Sequence, residues 1–507
     1  MNNQALHSES LEMLLQGGYL SRITGYFTLW LNYQFTGLDV TWYHAVNVLI
    51  HALNTLAVFF LSKLFISHFS KDTKATEHAF WALIIAALWA LHPLNSQPVI
   101  YIVQRLGSLV ALFVFLTVIF YIKARLSTEL TSKLIFTLLT LLCVIAGIFT
   151  KQNFFVVFLF LFCWEWLQSK GKLRCYLNRL MLGGAILVVL IAPFPFMEAF
   201  WEKLDNFTRD PGATDRVSYF YTQGIVLWDY IARFVFPHPL QLEIFVPLRD
   251  SFDPLVALAF TAHLALIATA LKLRATIPLF CWGVLFFYIS HSVESFIFPI
   301  KDLAFEHRTY LGNFGLMLAV TGLARYWFDA SPNRIVTSYI TVLATLIVGL
   351  TGATLTYQRA IQWQDPLTFY ERELKYSPEH IRTNASYGTE LAKAGRLEEA
   401  EKYLKESIEL NMAQGTISFG VLNAYMNVLY QQQKYQQAAP VVMMALRHVH
   451  YPERRSILLS NLAVGYIYMG YCDFALGLLE QALKLYPANQ DAANNRNYCL
   501  KIQSGNQ

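Results

Sequence analysis

Three groups of residues carry side chains that could do chemistry beside apolar segments. The first is His92-Pro93-Leu94-Asn95, followed by Tyr101-Ile102-Val103-Gln104-Arg105. The second is Lys151-Gln152-Asn153, in a tight turn between two apolar runs. The third is the densest: His291, Glu294, Lys301, Asp302, Glu306, His307, Arg308 and Tyr310. An ionisable group at the mouth of a membrane span is costly, so each is a candidate for function. Taken singly, such residues also cap helices or snorkel to headgroups. Three clusters together suit phosphate recognition better. Arginine offers a planar fork to phosphate oxygens and lysine a point charge, and a neighbouring carboxylate can accept a hydroxyl proton.

The elements that hold these residues are read from hydropathy. Hydrophobic residues make up 55% of the 507 and charged residues 14%, too apolar for an ordinary soluble chain. The excess fills residues 40–357 and fades beyond them. Apolar runs near 43–66, 79–92, 107–124, 133–150, 153–168, 180–197, 254–271, 275–293, 309–325 and 335–357 are long enough to cross a hydrocarbon core of ~30 Å. The run at 79–92 is the shortest. Residues 19–37 are aromatic but interrupted by Arg22 and Asn32, which suits an interfacial helix. Asp39 stands where an N-cap belongs, before the first span.

Lysine and arginine collect in alternate short loops: Lys71 and Lys74; Lys123, Arg125 and Lys133; Lys170, Lys172, Arg174 and Arg179; Lys272 and Arg274; Arg325 and Arg334. That set predicts the cytoplasmic side. The three clusters, a large loop at 198–253 and both termini then fall outside.

The C-terminal part, 358–507, is less apolar and repetitive. A period of about 34 residues with fixed small positions predicts tetratricopeptide repeats near 381–414, 419–452 and 456–489. Gly388, Gly395 and Ala400 mark the first repeat, Ala438 and Ala445 the second, and Gly470, Ala475, Ala482 and Pro487 the third. The fold class expected is therefore all-α, a polytopic helical membrane bundle followed by an α-solenoid of repeats. Residues 1–39 form the remnant of an exterior loop and the interfacial helix. Net charge is only +5, with no Lys/Arg run or zinc-type Cys/His spacing, so no nucleic-acid partner and no structural metal are expected. Cys472 and Cys499 fall in the repeat region, where they could pair or simply pack as small hydrophobes.

In order, NYQFTGLDVTWYHAVNVLIHALNTLAVFFL, ALHPLNSQPVIYIVQRLGSLVALF, KQNFFVVFLFLFCWEW, DYIARFVFPHPLQLE, ESFIFPIKDLAFEHRTYLGNFGLMLA and the junction YQRAIQWQDPLTFYERELKYSP resemble the transmembrane and tetratricopeptide-repeat O-mannosyltransferases and their bacterial relatives, within the GT-C superfamily. The resemblance implies an enzyme that takes a sugar from a polyprenyl-phosphate-linked donor on the non-cytoplasmic face and gives it to a protein or glycan hydroxyl. The repeats would bind the acceptor or a partner. It implies phosphate contacts from Arg105, Lys151, Lys301, His307 and Arg308, and acid–base roles for Glu294 and Glu306. His92, Gln104, Gln152, Tyr310, Trp228 and Asp229 would line the substrate cavity, with Tyr219 and Tyr221 in the covering loop. No cofactor is required by the pattern, although a divalent cation fits the chemistry. The bacterial likeness places the chain in an inner membrane with its repeats in the periplasm.

The family's acidic motif, in the exterior loop after its first span, has no counterpart here. MNNQALHSESLEMLLQGG resembles only the later part of that loop, and Glu9 and Glu12 do not match the motif. The reading is either that the true chain extends upstream or that this is an inactive scaffold using its repeats for protein–protein interaction. A transporter would need inverted halves, and the sequence shows no such symmetry.

Overall fold

The computed structural model describes residues 20–70, 74–169, 214–413 and 418–505. The expected span at 180–197, the basic loop 170–179 and the first part of the loop 198–253 lie outside the described residues, as do Glu9 and Glu12. The described residues are helical with no strand. The chain divides into two units, Met1–Ile361 and Gln362–Gln507.

In the first unit α1 (Ile23–Thr36) precedes α2 (Val40–Phe69), α3 (Ala75–Ala90), α4 (Arg105–Leu126), α5 (Leu130–Ile148), α6 (Val156–Gln168), α7 (Arg216–Val235), α8 (Pro254–Lys272), α9 (Pro278–Ser292), α10 (Thr309–Ala330) and α11 (Arg334–Gln362). Helix starts follow local chemistry. The Asp39 carboxylate accepts from Thr41 N at 3.0 Å and caps α2 as expected. Asp253 does the same for α8 from Val256 N at 2.8 Å, with Pro254 in the first turn.

Among the described residues six helices are long and apolar enough to cross a membrane, seven if α3 and the short helix after it count as one broken span. The chain is therefore an integral membrane protein. The exposed faces of α5 and α11 carry Leu134, Leu138, Leu141, Leu142, Leu343, Leu346 and Leu350, an apolar surface that suits lipid rather than water. Helix α4 lies at the centre: Phe115, Val114 and Ile122 are fully buried, against Trp89, Phe286 and Phe314. The expected span at 79–92 bends by 62° after Ala90, because Pro93 and Pro98 break the backbone pattern. A short helix, Gln97–Ile100, follows the bend.

Helices α9 and α10 approach so closely that glycine is required. A Cβ on Gly315 would come within 2.6 Å of both Gly283 O and Phe287 N. Small residues substitute here for hydrophobic driving force, which lipid does not supply.

The second unit holds α12 (Pro366–Tyr376), α13 (Ile381–Lys393), α14 (Leu397–Ala413), α15 (Phe419–Gln431), α16 (Tyr435–His448), α17 (Pro452–Tyr468), α18 (Cys472–Leu485) and α19 (Gln490–Gly505). Three turns share one geometry. Gly395, Gln433 and Gly470 have φ of 77°, 60° and 84°. The next amide in each turn reaches back to close it: Arg396 N to Leu391 O, Lys434 N to Leu429 O and Tyr471 N to Tyr466 O, at 2.9, 2.8 and 2.9 Å. Tight crossings fall where small residues stand, with Ala400, Ala438, Ala445, Ala475 and Ala482 fully buried. Cys472 and Cys499 are buried thiols with sulfurs 2.8 Å apart, joining α18 to α19.

Candidate functional site

The second and third sequence clusters meet at one end of the helical bundle. Lys151, between α5 and α6, places Nζ 3.1 Å from Glu294 Oε1. Arg308, just before α10, lies with Nε 3.9 Å from Glu294 Oε2. Glu294 stands in a π-helical turn, Val293–Ile297, that ends α9. A π-turn shifts side-chain register and here turns the carboxylate into the centre. The carboxylate and Arg308 are both 4% exposed at the side chain, Lys151 15%. Two cations thus share one buried anion.

Neighbouring elements lock this group. Tyr219 on α7 donates to Glu294 O at 2.7 Å. Arg308 donates to Asp302 O at 2.7 Å and Leu303 O at 3.2 Å, folding the loop 302–308 around its own guanidinium. Tyr230 accepts from Phe305 N at 3.1 Å, and Gln223 donates to Leu303 O at 2.8 Å. Burial opposes the charge of Arg308, yet Glu294 beside it, with Tyr230 and Tyr219, holds its pKa above the ordinary value. Burial raises the Tyr219 phenol, so it remains a donor at neutral pH.

His307 ties the third cluster to Gln97, which lies between the two halves of the first. Its backbone N donates to Gln97 Oε1 at 2.7 Å, and its Nδ1 lies 3.1 Å from the same oxygen. Gln97 is oriented in turn by donating from Nε2 to Leu242 O at 2.9 Å. Burial, with the Lys151 and Arg308 cations nearby, lowers the His307 imidazole well below its ordinary 6.5. The ring is neutral at pH 7.

Several expected residues are placed elsewhere or are already committed. Glu306 is fully buried and accepts from the backbone N of Gln241, and its other oxygen lies 3.8 Å from the Arg359 guanidinium Nη2. It anchors the loop and faces no open space. Arg105 is fully buried: it donates to Asn47 Oδ1 at 2.7 Å, Asn32 Oδ1 at 2.9 Å, Thr28 O at 3.0 Å and Tyr43 O at 2.9 Å. These four hydrogen bonds tie α1 and α2 to α4, so Arg105 holds the fold rather than the centre. Tyr310 bonds His51 Nδ1 at 2.7 Å inside the core. Trp228 donates to Ala259 O at 3.0 Å, joining α7 to α8, and Asp229 pairs with Arg233 at 2.6 Å on its own helix. His92 stacks on Phe234 and bonds Phe234 O at 3.0 Å, which fastens the bend after α3 to α7. Gln152 accepts from Arg22 at 3.2 Å at the edge of the site. Gln104 is half-buried and Lys301 is exposed on the loop before Arg308.

The sequence reading did not single out Gln97, Tyr230, Gln223, Gln241 or Arg359. Only Arg359 carried a signal, as an arginine two residues past the last apolar run. Among the described residues no group of three His, Cys, Asp or Glu side chains is placed to hold a metal ion.

The first unit is a helical membrane bundle with two cations and one carboxylate gathered in a buried centre at one end. No family model matches the chain. Among curated proteins it is similar to "Protein O-mannosyl-transferase F38B6.6" of Caenorhabditis elegans, 25% identical over 394 residues, covering 76% of this chain and 53% of that protein. It is also similar to "Protein O-mannosyl-transferase TMTC3" of Mus musculus, 22% identical over 425 residues, covering 75% of this chain and 43% of that protein. Both support the resemblance to the transmembrane and tetratricopeptide-repeat O-mannosyltransferase-like family. The chain spans about half the length of the curated relatives it matches.

Proposed function

We propose that this chain is a membrane glycosyltransferase that moves a sugar, mannose by analogy with its relatives' names, from a polyprenyl-phosphate-linked donor to a protein hydroxyl. The supporting observation is the convergence of Lys151, Glu294 and Arg308 from separate parts of the chain. A donor phosphate takes the place of part of the Glu294 contact: Arg308 meets its oxygens through the guanidinium fork and Lys151 balances the charge that grows as the sugar leaves. Tyr219 and the 302–308 loop hold those cations in place before the lipid arrives. The membrane supplies the lipid sideways between apolar helix faces. The site lies on the non-cytoplasmic side, a bacterial periplasm by the family likeness, and the helical array of the second unit, read as tetratricopeptide repeats, presents the acceptor.

The test uses the full chain in lipid nanodiscs, with binding of polyprenyl phosphate and transfer of labelled mannose from polyprenyl-phosphate mannose measured together. Arg308→Met is expected to weaken lipid-phosphate binding at least about tenfold, the worth of one charge-assisted hydrogen bond, and to abolish transfer. Wild-type binding and transfer in a folded Arg308→Met protein remove the proposal.

A further inference from the structure

Cys472 opens α18 and Cys499 lies in α19, with their sulfurs 2.8 Å apart and both side chains buried. Polar contacts on either side set that register. Asn489 Oδ1 accepts from Ala492 N at 3.0 Å and caps the start of α19, while its Nδ2 donates to Ser456 Oγ on α17 at 2.8 Å. Near the other end of α19, Gln503 donates to the carboxylate of Asp473, the residue after Cys472. The two thiols face each other between these clips. The apolar grip on α19 is thin. Among its described residues only Ala492 and Cys499 are buried, and Leu500 and Ile502 are half-exposed. One methyl and one thiol under cover give a helix little hydrophobic stabilisation, so a covalent tie at this place has a structural task.

We propose that Cys472 and Cys499 are a modification site, joined by a disulfide that fastens α19 to α18. The inference does not depend on sugar transfer. It rests on the sidedness expected from the Lys/Arg loops, which puts the second unit outside the cytoplasm, where thiols are oxidised rather than kept reduced. A disulfide holds its sulfurs about 2.05 Å apart, so the pair closes by less than ~1 Å. The oxidant is an external disulfide, carried by a dithiol–disulfide oxidoreductase of that compartment. One cysteine thiolate attacks a sulfur of the oxidant, forming a mixed disulfide and expelling the oxidant's other sulfur as a thiolate. The second cysteine thiolate then attacks the bonded cysteine sulfur. The Cys472–Cys499 bond forms, the mixed disulfide breaks, and the oxidant leaves as a dithiol carrying the two electrons and two protons. Burial, with the Cys472 sulfur alongside, raises the Cys499 thiol once α19 has docked. The exchange therefore takes place before docking, while both sulfurs are in water. The bridge spans 27 positions of chain and restricts α19 whenever it comes away.

The test takes the full chain in the membranes in which it was made, denatures it with a maleimide present and no reductant, and maps the digest by mass spectrometry. One species is expected that joins the Cys472 and Cys499 peptides, carries no maleimide at either sulfur, and separates when a phosphine is added. Maleimide on both sulfurs, or either cysteine linked elsewhere, overturns the proposal. A second measurement reads the hold itself. In nanodiscs, amide exchange across α19 is expected to be at least about tenfold faster after reduction, with α13–α16 unchanged. The protein carrying both Cys472→Ala and Cys499→Ala should match the reduced wild type. Exchange in α19 that is equal before and after reduction would show that the bond fastens nothing, and overturns the structural role.

Discussion

Lys151 Nζ and Glu294 Oε1 sit 3.1 Å apart although 143 positions separate them in the chain. The pair closes the short loop after α5 onto the π-turn after α9, and Arg308 approaches the same carboxylate from a third segment. Charges buried to this degree are costly unless each meets its partner.

Removing one side of the pair is therefore expected to be expensive. Glu294→Gln leaves two cations facing one another, and the cost expected for breaking a buried pair is about 3–5 kcal/mol. In Lys151→Met with Glu294→Gln the combined loss should fall short of the sum of the single losses. Denaturation midpoints of the four proteins in one detergent measure this. Losses that add within roughly 0.5 kcal/mol would show that the two groups act separately.

Acidification should weaken the fold through His307. Its folded pKa lies below 6.5, so above that pH both folded and unfolded chains carry a neutral ring and the stability is fully present. As pH falls below 6.5 the unfolded chain binds the proton first. Stability then drops by up to about 1.4 kcal/mol per pH unit until the folded ring also titrates. Other buried histidines contribute in the same direction, so the informative quantity is the difference between wild type and His307→Gln. Melting curves from pH 7.5 to 5 should show a shallower slope in the variant; parallel curves would contradict the shift.

In the second unit, Gln433 adopts the left-handed conformation that Gly395 and Gly470 adopt at the equivalent turns. A side chain costs about 1 kcal/mol there. Gln433→Gly is expected to recover most of it, seen as slower hydrogen exchange at the Lys434 amide, which closes that turn on Leu429 O. Faster exchange in the variant would mean that the glutamine side chain makes contacts worth more than the strain.

Much of the bundle was legible because span length and hydropathy are local properties. The run expected at 107–124 emerges as Arg105–Leu126, and Asp39 caps α2 as its position before an apolar run suggested. Helix α7 was not legible. Arg216, Gln223, Asp229 and Arg233 dilute its hydropathy, and residues 198–253 read as a loop. Only packing reveals that Tyr219, Val226, Leu227 and Tyr230 form one buried face. Side-chain roles were harder still. An arginine beside a span looks like a phosphate ligand until Asn32 and Asn47 are seen waiting for it, as at Arg105. Gln97 gave no signal, because a neutral amide matters only through what it orients.

The crossing at Gly283 and Gly315 has a mechanical corollary. Backbones in direct contact leave no compressible side-chain layer, so α9 and α10 form one stiff splint. Glu294 continues from one arm of that splint and Arg308 precedes the other. The spacing of these opposite charges is thus referred to one rigid backbone contact rather than to two independent helices.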